Sequence, residues 1–357
     1  MCTACTVNTD KAEAFAGQML SVLNHGSIAL MISVAHRTGL FDTMANLSHS
    51  TSAEIAEAAR LNERYVREAL GCFVTAGIVD YEPLSKTYRL PAEHAAYLTR
   101  AAGPNNFASP MQFFAVLGGV EDEIVRCFRE GGGVPYERYA RFHPVMAEES
   151  SQTVGSALTE HILPLVPGLV RDLERGVRLL DVGCGSGLTL CRLAELFPAS
   201  HFTGYDLCEE AVERARATAE ARGLTNIEFA ERNAAAWDEE DAFDVITAFD
   251  AIHDQARPDL VLANIRRALK PGGTFLMQDI RASSHLENNL DHPVAPFIYA
   301  ISCLHCMSVS LAQGGMGLGA AWGKELAVEM LEDAGFLGTE VHELEHDIQN
   351  YWYVSTK

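Results

Sequence analysis

The stretch Val177-Arg178-Leu179-Leu180-Asp181-Val182-Gly183-Cys184-Gly185-Ser186-Gly187 decides the fold. Its apolar run from Leu179 to Val182 has the length of a buried strand, and three closely spaced glycines follow. Leu188, Leu190, Leu193, Ala194 and Leu196 then recur with helical spacing. Strand, glycine turn, helix is the unit by which an open parallel sheet holds a nucleotide-like ligand. Gly183 and Gly185 lack a Cβ, so the chain turns sharply there and its backbone can lie against that ligand. The spacing is Gly-x-Gly-x-Gly, not the Gly-x-Gly-x-x-Gly of a pyrophosphate grip.

Working outward, His201-Phe202-Thr203-Gly204-Tyr205-Asp206 reads as a second strand ending in an acid. A carboxylate about 20 residues beyond the glycines suits a ribose, because it accepts from a vicinal diol. A ribose-binding acid without a phosphate grip fits an adenosine that carries no phosphates. Leu-Asp-Val-Gly-Cys-Gly-Ser-Gly at 180–187 resembles the first motif of the class I S-adenosylmethionine-dependent methyltransferases. The resemblance runs from about Arg171 to the C-terminus and implies an α/β domain with a Rossmann-like seven-stranded sheet. It further implies S-adenosylmethionine as cofactor and S-adenosylhomocysteine as product. Carried over, Asp181, Gly183 and Gly185 form the cofactor turn, and Asp206 with Leu207 holds the ribose. Asn233 and Ala234, after the strand Ile227–Ala230, match the adenine position. The Phe249 carbonyl is the partner of the methionine ammonium.

Composition bounds the rest. At 357 residues the chain is long enough for two domains, and its 48% hydrophobic and 21% charged content is that of an ordinary globular protein. A net charge of −21, from 27 basic and 48 acidic residues, repels phosphate backbones and anionic lipid. No nucleic acid and no membrane are therefore expected as partners. No apolar segment follows a basic start, so no signal peptide is expected. The apolar window Phe297–Ala312 reads as too short and too polar for a membrane span. The nine cysteines suit reduced thiols in the cytoplasm. Cys2-x-x-Cys5 and the cluster Cys303, His305, Cys306 have zinc-ligand character, but packed thiols and a histidine beside a pocket are the preferred reading, and no metal is expected.

Toward the N-terminus, Lys11 to Arg37 is helical in pattern and apolar around much of its circumference, as in helices that pair with another subunit. Thr51-Ser52-Ala53-Glu54 is a helix-start signature. A second helix runs through Tyr65, Val66, Ala69, Leu70 and Phe73. Two short strands at 78–81 and 87–90 then complete a winged-helix layout. Glu63, Arg64, Arg67 and Glu68 on that helix cancel in charge, whereas groove-reading helices carry excess cation. Dimerisation is thus favoured over DNA reading. Gly103-Pro104 marks a boundary. The helical connector beyond it is interrupted by Gly131-Gly132-Gly133, a hinge that can lie over the cofactor mouth, so that Tyr136, Tyr139 and Phe142 line cofactor or substrate or simply pack.

Beyond the glycine turn, Phe243–Phe249 reads as the fourth strand of the sheet and leads to Asp250-Ala251-Ile252-His253-Asp254. Strand five ends at Asp279. His253 sits where an open sheet places its ligands, and an imidazole can take a hydroxyl proton near neutral pH. With the two-domain layout, Ile252-His253-Asp254 resembles the plant and bacterial O-methyltransferases that carry a winged-helix dimerisation domain. The resemblance implies His253 as base, Asp254 as a substrate-side or orienting group, and Asp279 as the acid that steadies the histidine. Two departures stand out. The family's second acid is missing from Gly319-Ala320-Ala321-Trp322-Gly323, and Gln255 replaces its tryptophan. An apolar, sulfur-rich insertion, followed by the glycine-rich loop Gly314–Gly319, which reads as flexible, suits either an apolar small-molecule pocket or dimer packing.

The resulting expectation is a winged-helix dimerisation domain at 1–102, a helical connector at 103–166 and a catalytic domain at 167–357. The protein is expected to be a cytoplasmic homodimer that methylates a small, largely apolar acceptor at oxygen. An N-, C- or S-methyltransferase working by proximity, and a cofactor-binding transcription regulator, are the alternatives.

Overall fold

A computed structural model describes residues 7–357. They form two compact units that divide between Ala115 and Val116. Cys2 and Cys5 lie outside the described residues.

The first unit begins with helix α1 (Thr9–Thr38), whose N-terminus is capped by Asn8 accepting from the Lys11 amide and which ends at the left-handed Gly39. Only its last third is buried; Phe15, Leu20 and Leu23 are 58%, 64% and 67% exposed. Helices α2 (Leu40–Met44), α3 (Ser52–Ala59) and α4 (Glu63–Thr75) follow. Thr51 and Glu54 make a reciprocal capping box at α3, the signature legible in the sequence. Strands β1 (Asp80–Glu82) and β2 (Thr87–Arg89) pair antiparallel as the wing. Phe41, Ile55, Leu70 and Phe73 are essentially inaccessible, and the Phe41 and Phe73 rings meet at 4.9 Å. Each such side chain stabilises the unit by about 1.5–3 kcal/mol through burial.

The second unit is built on seven strands: β3 (Arg178–Val182), β4 (His201–Asp206), β5 (Ile227–Glu231), β6 (Phe243–Phe249), β7 (Leu269–Ile280), β8 (Leu337–His342) and β9 (Asn350–Thr356). Their order is β5-β4-β3-β6-β7-β9-β8. The first five are parallel, and β9 pairs antiparallel with both β7 and β8. Leu179, Leu180, Ile246 and Leu276 are inaccessible because helices cover both faces, which is why these strands read as apolar runs without alternation. The strand order reverses at β3, so the crevice for a ligand opens at the carboxyl ends of β3, β4 and β6. Strand β7 starts at Leu269 and carries Pro271-Gly272-Gly273 within it.

The insertion after β7 folds as α5 (Ala295–Ile301), a wide π-turn at Ser302–Cys306 and α6 (Met307–Ala312) in one run. By length and composition both Ala295–Ala312 and Thr9–Thr38 could cross a membrane, contrary to the shorter window read from the sequence. The former is 44% buried within the protein. The glycine loop at 314–319 is packed, not slack. A Cβ at Gly315 would come within 2.4 Å of Ala256, and one at Gly319 within 2.3 Å of the Ser302 hydroxyl.

Candidate active site

The turn after β3 is pinned to β4, since the Gly183 and Cys184 amides both donate to the Tyr205 carbonyl at 2.8 and 3.1 Å. Gly183 and Gly187 have positive φ and no room: a Cβ would meet Ala251 at 2.4 Å and Phe229 at 2.5 Å respectively. Gly185 also has positive φ, yet a Cβ there would meet nothing within 4 Å. The outer glycines serve packing, and the middle one presents bare backbone to the crevice. The Gly185 amide donates to Asp206 Oδ2 and the Cys208 amide to Asp206 Oδ1, both at 2.8 Å. This fixes the carboxylate at the tip of β4. A carboxylate has about four lone-pair sites, so two further donors can be accepted from a diol. Leu207 beside it is 51% exposed.

The other residues expected around a cofactor divide. Asp181 points into the sheet, buried, and accepts from the Thr247 hydroxyl at 2.6 Å. Burial pushes its carboxyl up to about 7. Asn233 is exposed after β5 and its Oδ1 caps a turn by accepting from the Ala235 amide at 2.9 Å. Ala234 is buried. Phe249 ends β6 with its ring edge-on to Trp352 at 5.6 Å.

Beyond Phe249 the chain turns through Asp250, whose φ of +51° is unusual for a residue with a side chain. The Asp250 carboxyl accepts from Gln278 Nε2 at 3.1 Å, and burial beside Asp279 pushes it up to about 8. The turn delivers His253, 4% exposed, so that its Nδ1 lies 2.8 Å from Asp279 Oδ1 at the end of β7. Burial by itself would lower the imidazole, but the charge and hydrogen bond of Asp279 outweigh it and raise His253 well above the ordinary histidine value. The pairing with Asp279 thus favours the protonated form of the imidazole, against the base poised near neutrality that the sequence suggests. Ligand atoms of Asp250, His253 and Asp279 lie within 4.8 Å of one another.

Sequence reasoning missed two partners. The Trp322 indole donates to Asp279 Oδ1 at 2.8 Å, from the segment where an acid was sought. The Tyr136 hydroxyl donates to Asp254 Oδ2 at 2.7 Å, which brings the segment after Gly131–Gly133 onto the residue after His253. Neither pairing has a local signal, because the partners are far apart in the chain. Gln255, in place of the family's tryptophan, folds back onto the Ala251 carbonyl at 2.8 Å.

Residues 26–100 match the model of the Rv2258c-like winged HTH domain, and residues 173–335 match that of a methyltransferase domain. Human N-acetylserotonin methyltransferase, solved with S-adenosylmethionine, superposes with a TM-score of 0.68 at 18% identity, covering 99% of each chain. An O-methyltransferase family protein from Burkholderia thailandensis gives 0.66 at 17% identity, covering 96% of this chain and 98% of the other. The ubiquinone biosynthesis O-methyltransferase of Maricaulis maris is 33% identical over 111 residues, 30% of this chain and 42% of that protein. The chain thus spans less than half the length of that curated relative. Domain order, strand order and glycine turn define a two-domain methyltransferase fold. The chain thus joins a winged-helix domain, matched over residues 26–100, to an S-adenosylmethionine-dependent methyltransferase domain, matched over residues 173–335.

Proposed function

We propose that this protein transfers the methyl group of S-adenosylmethionine to a hydroxyl of a small, largely apolar acceptor, with His253 as general base. The observation that carries the reading is the buried His253–Asp279 pair, 2.8 Å apart, at the strand ends beside the glycine turn. The cofactor supplies a methyl group on a sulfonium whose leaving group is a neutral thioether. The chain's own residues must align the acceptor and remove its proton. Asp279 engages Nδ1, so Nε2 is the atom to take the proton, with the Cys306 thiol as the ring's second neighbour, and Trp322 fixes the carboxylate that orients the ring. Such a base contributes roughly 10²–10⁴-fold. Because Asp279 raises the imidazole, the base is strong but mostly protonated near neutral pH, and turnover should rise toward alkaline pH. Asp206 and the bare backbone of Gly185 suit the ribose and the methionine end. Asn233 and Ala234 suit the adenine, and the Phe249 carbonyl suits the ammonium.

The apolar, exposed face of α1 supports a homodimer formed through the N-terminal domain, since Phe15, Leu20 and Leu23 line it. A DNA-reading role is disfavoured because Arg64 and Arg67 on α4 are paired with Glu68 and Glu63. The described cysteines are unpaired, which suits the reducing cytoplasm.

The test is incubation of the full chain with trideuteromethyl-labelled S-adenosylmethionine and a panel of small phenols, read by mass spectrometry. Labelled methyl ethers formed by the parent, and lost in His253→Gln with cofactor affinity intact, support the reading. Undiminished transfer by His253→Gln would favour an N-, C- or S-methyltransferase that works by proximity.

A further inference from the structure

His305 has no part in the chemistry above, yet it is one of the most enclosed polar side chains in the unit, 1% exposed. The wide π-turn Ser302–Cys306 sets it between aromatic rings. Its ring stacks on Phe142 at 3.7 Å and 12°, and the edges of Tyr139 and Tyr136 meet it at 4.6 and 5.0 Å. Among the described residues neither Nδ1 nor Nε2 finds a hydrogen-bond partner. Both tyrosine O–H protons are committed elsewhere, Tyr139 donating to the Leu304 carbonyl at 2.6 Å and Tyr136 to Asp254 at 2.7 Å, so neither donates to the ring. A buried imidazole with two unmet polar atoms costs about 1–3 kcal/mol per atom, too much for mere packing where phenylalanine would serve. π-turns of this kind recur at functional sites.

The box is joined to the reaction centre. Tyr136 forms one wall and bonds the residue next to His253, while Cys306 follows His305 directly. Burial, and the charge of His253, hold His305 well below the ordinary histidine value, so it is neutral and offers one donor and one acceptor. A neutral imidazole among aromatic rings offers no counter-charge to an anionic ligand.

We propose that Tyr136, Phe142 and His305 form the acceptor subsite, and that His305 reads a second polar group, a hydroxyl or a carbonyl, on an uncharged aromatic acceptor whose other hydroxyl is methylated. This rests on the methyltransferase reading above. The aromatic walls select a flat ring, and the neutral imidazole discriminates against analogues that lack the second group, because they leave it unpaired.

The test uses the full chain saturated with S-adenosylhomocysteine and two probes of similar shape, 4-hydroxyacetophenone and 4-ethylphenol. Affinities come from calorimetry, and the His305 ring nitrogens are followed by ¹⁵N NMR. The parent should hold the ketone about five- to tenfold more tightly, the range of one net hydrogen bond, with the His305 resonances moving on its addition. His305→Phe, which keeps an aromatic ring in the stack, should bring the two affinities to parity with the affinity for S-adenosylhomocysteine unchanged. Equal affinities in the parent, a preference that survives His305→Phe, or binding of neither phenol would overturn the subsite. Failure to bind S-adenosylhomocysteine would instead overturn the reading beneath it.

Discussion

Replacing Asp279 by asparagine isolates what the carboxylate does for His253. The side chain keeps its shape and can still present Oδ1 to the imidazole Nδ1 and the Trp322 indole, both now at 2.8 Å. What disappears is the charge. A hydrogen bond to a charged group is worth about 1.5–3 kcal/mol and a neutral one about 0.5–1.5. The protonated imidazole should therefore lose roughly 1–2 kcal/mol of stabilisation. At 1.36 kcal/mol per pH unit, its midpoint falls by about one unit or more, and burial is then free to pull it lower. Histidine ¹⁵N titrations of parent and variant read this without any acceptor. The parent midpoint should lie well above the ordinary 6.5, and that of Asp279→Asn should lie below it. In the methyl-transfer assay, the limb of the pH–rate profile should move to lower pH by the same amount. A parent midpoint near 6.5, or one that does not respond to Asp279→Asn, would refute the argument that this carboxylate sets the proton affinity of His253.

Other outcomes follow from the same geometry. Stability should fall as pH rises from about 4 to about 8. Asp250, raised from 3.8 to about 8, binds a proton in the folded chain that the unfolded chain has released across that whole interval, and the raised imidazole of His253 adds a contribution that is fully present below its unfolded value and lost as pH rises through its folded one. Scanning calorimetry should show the melting temperature dropping across that window, and less so in Asp250→Asn; a rising melting temperature would contradict the assignment. Trp322→Phe removes the second donor to Asp279 and should cost about 3- to 30-fold in turnover with cofactor affinity unchanged, because it frees the carboxylate that orients the base; calorimetry paired with turnover separates the two. Leu20→Glu with Leu23→Glu, on the exposed face of α1, should convert a dimer to monomer in sedimentation velocity while the thermal transition of the second unit stays in place.

Much of the architecture was readable because it rests on local signals. The run Leu179–Val182 with its glycines and the Thr51–Glu54 capping box both follow from backbone sterics or short-range hydrogen bonds. The pairing of His253 with Asp279 at the end of β7 could be anticipated only through resemblance. Its proton affinity could not be, because it depends on burial and on a charge 26 residues away along the chain. The partners Trp322–Asp279 and Tyr136–Asp254 are set by tertiary packing alone. The loop at 314–319 looked slack because glycine composition cannot distinguish freedom from close approach.

The central claim is that a phosphate-free adenosine lies across the ends of β3 and β4 with its sugar on Asp206. Calorimetry of S-adenosylhomocysteine against the parent and Asp206→Asn tests it most directly. Saturable one-to-one binding, weakened about 10- to 100-fold when the charged acceptor of the diol becomes an amide, is the predicted result. No heat at millimolar ligand, or equal affinity in parent and variant, would contradict it.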